Sequence, residues 1–187
     1  RERMAVAERA RIGAAAAALV EPGAVVMLDA GSTTAHVARA LAARGIAATV
    51  LTNSLAAATI LAAAPGEAVR VLLCPGEVSA REGGVYGSEA EAFLRRFNAD
   101  LAVIGASGLS AEGPSDAISR AAWVKRAMLE RAPRRVLVAD AGKFGRALLE
   151  RVCPLAGLTD LVTEAPPPPD LAAALAHAGV AVTLAPA

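Results

Sequence analysis

The fold is decided by the stretch Val25-Val26-Met27-Leu28-Asp29-Ala30-Gly31-Ser32-Thr33-Thr34. Four apolar residues lead into an aspartate, and a glycine, three hydroxyl side chains and an alanine-rich segment follow. This order predicts a buried strand, a tight turn and a helix whose first turn carries the hydroxyls. Unpaired N–H groups and the positive end of the helix dipole at such a terminus can bind phosphate or carboxylate. The alternative is that Ser32 or Thr33 only caps the helix.

The composition is that of one α/β domain built on small aliphatic side chains. The chain has 187 residues, enough for a single domain with a substantial core. Hydrophobic residues make up 55% and aromatic residues only 3%. Val, Leu, Ile and Ala must therefore fill the core, as they do where helices pack on a parallel sheet. The net charge of +1 gives no electrostatic footprint for nucleic acid within this segment.

The two cysteines and the chain start bear on the cellular setting. Cys74 and Cys153 have no metal-ligand spacing, and we expect both to be reduced and buried in a cytoplasmic protein. The apolar runs are short, which predicts no membrane span, and neither a metal nor a cofactor is expected. Residue 1 is an arginine rather than a methionine. We therefore expect a fragment that lacks a natural N-terminal part.

Apolar runs alternate with alanine-rich helical segments along the whole chain. The predicted strands are 25–28, 48–51, 69–73, 100–104, 135–139, 161–163 and 180–184. The predicted helices are 4–20, 33–43, 55–63, one that passes through Phe93 and Arg96, 117–131 and 170–178. The segments 77–84 and 109–116 are predicted to be loops. This alternation predicts one α/β domain with a mostly parallel sheet flanked by helices.

Small and polar residues recur where the predicted strands end. The carboxyl ends of parallel strands share one edge of a sheet, and ligands bind in the crevice along it. One such turn is weak evidence, because Gly, Ser and Asn are ordinary turn residues, but their recurrence favours a ligand pocket. The candidate site residues are Asp29, Gly31, Ser32, Thr33, Thr34, Thr52, Asn53, Ser54, Gly76, Gly105, Ser107, Gly108, Asp140 and Lys143.

The chemistry of these candidates suits a sugar or polyol with an anionic group. Hydroxyls and N–H groups would hold a phosphate, and Lys143 would add a point charge, unless it is an ordinary exposed lysine. Asp29 and Asp140 would accept hydrogen bonds from ligand hydroxyls, or Asp29 would organise its turn. No nucleophile lies near His36 or His177. An Asp/Lys pair could still move a proton on a sugar phosphate, which leaves an enzyme open.

Five motifs together resemble the C-terminal effector-sensing domain of the DeoR family of bacterial transcriptional regulators. They are residues 28–34, 51–55, 99–108, 124–128 and 139–145, and they occur in the family's order. The resemblance implies a fold related to ribose-5-phosphate isomerase, glucosamine-6-phosphate deaminase and CoA-transferases. It also implies a phosphorylated sugar or its metabolite as effector, a homodimer or tetramer, and a helix-turn-helix domain upstream that binds operator DNA. Residues 1–20 would be the end of the linker and the first helix, and the protein would be a repressor of carbohydrate metabolism rather than an enzyme.

Three departures from the family pattern touch the pocket wall. Pro75-Gly76 stands where the family usually has Gly-Gly, Ala121-Ala122 where it often has Glu-Ala, and Gly142 where a serine is common. They bear on which ligand is bound. The alternative function is a sugar-phosphate isomerase or deaminase, but the stretch 98–102 replaces the second acid of the isomerase's catalytic segment with apolar residues. A sugar kinase of the actin-like fold is disfavoured because an alanine-rich helix follows Asp29.

Overall fold

A seven-stranded parallel sheet forms the middle layer of the protein, as seen in a computed structural model that describes residues 2–187. Crossovers join the successive strands of this sheet and return the chain to the same end, which is why neighbouring strands run parallel. In spatial order the strands are β12 (Ala181–Leu184), β11 (Asp160–Thr163), β9 (Arg134–Val138), β6 (Leu101–Ile104), β1 (Val25–Leu28), β2 (Ala48–Thr52) and β3 (Val69–Leu73). The predicted fold class is confirmed.

Six α-helices cover the two faces of this sheet in the described residues. The helices α1 (Glu2–Ala17), α2 (Ser32–Arg44) and α3 (Leu55–Ala62) pack on one face, and α4 (Ser88–Arg95), α5 (Ser119–Leu129) and α6 (Pro169–His177) pack on the other. Successive residues of β1 alternate between the two cores. Val26 and Leu28 lie in the first core and Met27 in the second, and all three are buried. A sheet covered on both faces explains the continuous apolar runs.

Two segments predicted as loops are β-hairpins, and those predictions were wrong. Residues 77–84 contain β4 (Glu77–Ser79), which pairs with β5 (Gly84–Tyr86). Residues 109–116 contain most of β7 (Gly108–Ser110) and all of β8 (Gly113–Asp116), and β10 (Glu150–Arg151) pairs with β8. Such strands are too short for an alternating pattern, and turn residues dominate them. At Gly113, with φ 126°, a Cβ would stand 2.0 Å from the Cys153 carbonyl oxygen, so only glycine fits.

The remaining predicted elements are confirmed, with ends that shift by three residues at most. Arg1, part of the predicted linker segment, lies outside the described residues. Cys74 is buried as expected, whereas Cys153 is only partly buried, because it follows the edge strand β10. No helix within residues 2–187 is long and apolar enough to cross a membrane.

Candidate functional site

A cavity of about 230 Å³ opens at the carboxyl edge of the sheet, beyond the ends of β1, β6 and β9. The turn after β1 and the start of α2 form one wall, and α5 forms the wall opposite. The hairpin β4–β5 and the turn after β9 complete its rim. Of the residues predicted from the sequence, those that line it are Gly31, Ser32, Thr33, Thr34, Gly105, Ser107 and Lys143.

The N-terminus of α2 reaches this cavity without a side-chain cap. Its N-cap residue is Gly31, and no side chain accepts a hydrogen bond from the first turn. The Thr34 hydroxyl instead donates to the Gly31 carbonyl oxygen over 3.1 Å. Within residues 2–187, the N–H groups of Ser32 and Thr33 have no acceptor. The alternative in which Ser32 or Thr33 caps the helix is therefore wrong, and the free donors and the helix dipole are directed at the cavity.

A buried lysine between two aspartates forms the floor of the cavity. Lys125 is 4% exposed, and its Nζ donates a short hydrogen bond to Oδ2 of Asp29 and lies 3.5 Å from Oδ2 of Asp116. Asp29 also accepts from the Gly105 N–H over 3.2 Å. Asp116 accepts through Oδ1 from the N–H and the hydroxyl of Ser107, at 3.3 and 3.0 Å. Asp29 thus ties the ends of β1 and β6 to α5 rather than lining the cavity.

The charges of this cluster follow from burial and close contact. Burial raises the pKa of Asp29 above its usual value, and Lys125 opposes that rise. Burial alone would lower the pKa of Lys125, but the charges of Asp29 and Asp116 together raise it above its usual range. The raised pKa of Asp29 favours a proton on the carboxylate, whereas the raised pKa of Lys125 favours that proton on the amine. Asp29 and Lys125 are in direct contact, and Asp116 is a second carboxylate beside Lys125. We therefore assign Asp29 as deprotonated and Lys125 as protonated at neutral pH.

One acceptor of the cluster, a carboxylate oxygen near Lys125, makes no hydrogen bond. Among the described residues, Oδ2 of Asp116 makes no hydrogen bond, although Asp116 is only 5% exposed and lines the cavity. A buried carboxylate oxygen without a donor costs stability unless something else supplies one. A hydroxyl group on a ligand is a donor of the required kind.

Lys143 is the second lysine that lines the cavity. It ends a 3₁₀ turn, Ala141–Lys143, that follows β9. The chain contains two lysines against seventeen arginines, and both lysines line this cavity. A lysine amine is a compact point charge that can approach a phosphate where a guanidinium would not fit. Arginine supplies nearly all other cationic side chains, so we associate the choice of lysine at these two positions with the cavity.

Three predicted residues at the carboxyl end of β2 hold the backbone instead of lining the cavity. The Thr52 hydroxyl donates to the Leu28 carbonyl oxygen over 2.6 Å. The Asn53 side-chain amide donates to the Val85 carbonyl oxygen over 3.2 Å. Ser54 caps α3 by accepting from the Ala57 N–H. These contacts fasten β2 and the hairpin β4–β5 to the strand that ends at the cavity.

The other predicted residues also lie outside the cavity lining. A Cβ at Gly76 would stand 2.6 Å from the Tyr86 carbonyl oxygen, and one at Gly108 would stand 2.4 Å from the Arg146 carbonyl oxygen. Both glycines therefore permit close backbone packing. Asp140 caps the 3₁₀ turn by accepting from the Gly142 N–H over 3.0 Å.

Sequence reasoning missed Lys125 and Asp116 as site residues. Lys125 lies one turn after Ala121 and one turn before Met128 and Leu129, on the apolar side of α5. A lysine on an apolar helix face is the signal that could have identified it. Asp116 gave no such signal, because it was assigned to a loop.

Asp100 is the acid in the stretch 98–102 that was compared with the isomerase's catalytic segment, and it lies at the edge of the sheet away from the cavity. Asp100 precedes β6, and its Oδ2 accepts from the Val25 N–H over 2.7 Å. Both residues lie at the amino ends of their strands, whereas the cavity lies at the carboxyl ends.

The fold and the cavity define an α/β domain with a ligand-sized crevice at the carboxyl edge of a parallel sheet. Residues 4–165 match the model of the DeoR C terminal sensor domain, and the chain belongs to this family. The family resemblance seen in the five motifs is confirmed.

Two relatives are bacterial repressors. The glycerol-3-phosphate regulon repressor of Escherichia coli (strain K12) is 30% identical over 162 residues, which cover 86% of this chain and 63% of the repressor. The HTH-type transcriptional repressor GlcR of Bacillus subtilis (strain 168) is 31% identical over 157 residues, which cover 84% and 59%. This chain thus spans less than two thirds of the length of either relative. Both are named as repressors and not as enzymes.

One solved structure resembles this chain in its fold alone. Ribose 5-phosphate isomerase A from Methanocaldococcus jannaschii superposes with a TM-score of 0.54 at 17% identity. The match covers 73% of this chain and 53% of the isomerase. The isomerase-related fold implied by the motifs is therefore confirmed.

Proposed function

We propose that this chain is the effector-sensing domain of a DeoR-type repressor of carbohydrate metabolism, and that its cavity binds a small phosphorylated metabolite. In the whole protein, an upstream helix-turn-helix domain would bind operator DNA as a homo-oligomer in the cytoplasm, and the effector would alter operator affinity. The names of the relatives support the regulatory part of this proposal. The cavity supports the ligand part.

The observation that carries the proposal is the uncapped N-terminus of α2 facing a cavity that also holds Lys143. Two free N–H groups, the helix dipole and an amino group form a set of donors for one anion. The hydroxyls of Ser32 and Thr33 add further donors at the same wall. A phosphate group uses all of these donors at once, since it offers several acceptor oxygens.

The opposite end of the cavity suits a hydroxyl group. Oδ2 of Asp116 needs a donor, and Lys125 beside it can donate to an oxygen. A ligand with a phosphate at one end and hydroxyls at the other would satisfy both ends. The cavity of about 230 Å³ is smaller than the roughly 300 Å³ at which drug-sized sites begin, which favours a metabolite of a few carbon atoms. Glycerol 3-phosphate, after which the Escherichia coli relative is named, is the first compound to test.

Binding without turnover fits the geometry of the floor. Lys125 is held between two carboxylates, and its raised pKa keeps it protonated, so it is a poor base and a poor nucleophile. Asp29 is committed to Lys125 and to the Gly105 N–H. Lys125 can recognise a ligand, but neither group is free to exchange protons with it.

The test is calorimetric titration of the chain with glycerol 3-phosphate, with glycerol as the matched compound that lacks the phosphate. The wild type should bind the phosphate ester and not glycerol. Lys143→Met should weaken binding about 10- to 100-fold, the range for a lost hydrogen bond to a charged group. Thr33→Val, which keeps the side-chain shape, should weaken it by a smaller factor.

Arg146→Met is the matched control, because Arg146 is an exposed cation three residues after Lys143 and does not line the cavity. It should bind like the wild type. If a panel of triose, pentose and hexose phosphates also fails to bind, the proposal is wrong. Steady conversion of any of them to product would show an enzyme instead.

A further inference from the structure

An ion pair links α1 to the turn that carries Lys143. Nε of Arg9 lies 3.7 Å from Oδ2 of Asp140, just beyond hydrogen-bond distance. Both atoms are buried, and neither has a hydrogen-bond partner among the described residues. The pair is therefore a close approach that stops short of a hydrogen bond, and a shift of a few tenths of an ångström would complete it.

Asp140 controls the position of Lys143 directly. Its Oδ1 accepts from the Gly142 N–H, and its backbone carbonyl oxygen accepts from the Lys143 N–H, both at 3.0 Å. Ala141, the residue after Asp140, is also held in place, because its N–H donates to the carboxylate of Glu164 at 3.0 and 3.1 Å. A movement of the Asp140 carboxylate therefore moves the turn, and with it the amino group at the cavity.

The helix α1 also rests directly on α2, whose N-terminus forms the other anion-binding wall. A Cβ at Gly13 would stand 2.6 Å from the backbone carbon of His36, so the two helices cross in close contact there. Arg44, the last residue of α2, donates to the carbonyl oxygens of Ala17, the last residue of α1, and of Val20, just beyond it. One helix thus contacts both walls that would hold the phosphate.

The charges around Arg9 make Asp140 its partner. His36 faces Arg9 from α2, and burial lowers the pKa of His36, with the charges of Arg39 and Arg9 lowering it further. His36 is therefore neutral at neutral pH and neither repels Arg9 nor pairs with it. In the described part of the chain, Asp140 is the carboxylate that lies within 4 Å of the Arg9 guanidinium.

We propose that the Arg9–Asp140 pair couples the position of α1 to occupancy of the cavity. This inference rests on the proposed function. An anion held between Lys143 and the N-terminus of α2 draws the turn inward, and the Arg9–Asp140 contact closes into a hydrogen bond that fixes α1 on the domain. Because coupling is reciprocal, fixing α1 also strengthens ligand binding. In the proposed full-length repressor, the DNA-binding domain upstream of α1 would thereby respond to the ligand without touching it.

The experiment titrates the chain and its variants with glycerol 3-phosphate and follows amide hydrogen exchange in α1. Arg9→Ala should weaken binding about fivefold or more, although Arg9 does not line the cavity. Ligand should slow exchange in α1 of the wild type and not of Arg9→Ala. Asp140→Asn removes the charge of the pair while an amide oxygen can still cap the turn, and it should have the same effect. The double variant should be no worse than either single variant.

Arg11→Ala is the matched control on the same helix, since the Arg11 side chain donates to the Pro186 carbonyl oxygen at 3.3 Å and not to the turn. It should bind like the wild type, and Arg9→Lys should restore part of the affinity. If the wild type binds and Arg9→Ala binds equally well, or if the effects of the two substitutions add, the coupling is overturned while the proposed function stands. If the wild type binds neither glycerol 3-phosphate nor any member of the panel of triose, pentose and hexose phosphates, both are overturned.

Discussion

Lys125 neutralises two carboxylates beneath the cavity, so its removal should be costly. Lys125→Met leaves Asp29 and Asp116 buried without a cation, and we expect a loss of about 3–5 kcal/mol in the free energy of unfolding at neutral pH. The measurement is denaturant unfolding followed by circular dichroism. The double variant Lys125→Met/Asp29→Asn removes the closer uncompensated charge and should recover part of the loss. A single variant as stable as the wild type would show that the ion pair does not hold the floor.

The same variant should change how stability depends on pH. Burial raises the pKa of Asp29 above 3.8, and Lys125 is the largest opposing influence. Without it, the folded-state pKa rises further above the unfolded value. A group of this kind stabilises the fold below the unfolded pKa, and that contribution is lost as the pH rises through the folded pKa. Relative to the wild type, Lys125→Met should therefore lose stability as the pH rises above about 4, and adding Asp29→Asn to this variant should remove most of the trend.

At the scale of single residues, the sequence predicts the cavity wall at the N-terminus of α2 better than the floor of the cavity. Gly31, Ser32 and Thr33 follow a recognisable strand and precede a recognisable helix, so local pattern predicts their place at the cavity. Lys125 and Asp116 meet Asp29 only because α5 and the hairpin β7–β8 fold over the sheet edge. The separation of 96 residues between Asp29 and Lys125 leaves no local pattern.

The hairpin β4–β5 is an element whose role depends on one arginine. Arg120, in the first turn of α5, pairs with Glu82 at 3.1 Å and with Glu77 at 3.6 Å, and its guanidinium lies 5.4 Å from the centre of the Tyr86 ring. Glu82 and Tyr86 line the cavity. Arg120 therefore fastens the hairpin over the cavity mouth.

Arg120→Met should loosen this hairpin and speed the release of ligand. We expect a dissociation rate several-fold higher, with a smaller change in the association rate, since most changes of affinity lie in dissociation. Stopped-flow measurements with glycerol 3-phosphate check this. Arg95→Met is the control, because it breaks the comparable pair with Glu130, which follows the last turn of α5 at the end away from Arg120. Equal rates for both variants and the wild type would contradict a latch at Arg120.

Elements of the sheet and its helices could be predicted because their patterns are long and regular. The apolar runs of β1, β2 and β3 end in Asp, Thr and Cys within a residue of the predicted ends. The hairpins could not be predicted, since turn residues dominate their strands, which are specified by backbone pairing and by glycines such as Gly113. Because the hairpins were predicted as loops, the part of the cavity that they form was not predicted.

At the scale of the whole molecule, a single layer of contacts separates the cavity from the first helix. The cavity lies at the carboxyl edge, α2 and the Lys143 turn form part of its lining, and α1 contacts both. The family and the fold could be predicted from five motifs. Their spatial convergence depends on a parallel sheet that brings every carboxyl end to one edge.

The central claim is that a phosphate group binds at the N-terminus of α2 beside Lys143. Backbone amide NMR of the ¹⁵N-labelled chain during titration with glycerol 3-phosphate tests it most directly. The amides of Ser32, Thr33 and Lys143 should show the largest shifts, and Lys143→Met should reduce those of Ser32 and Thr33 at equal ligand concentration. Saturable binding that leaves these three amides unmoved and shifts amides elsewhere would contradict the claim.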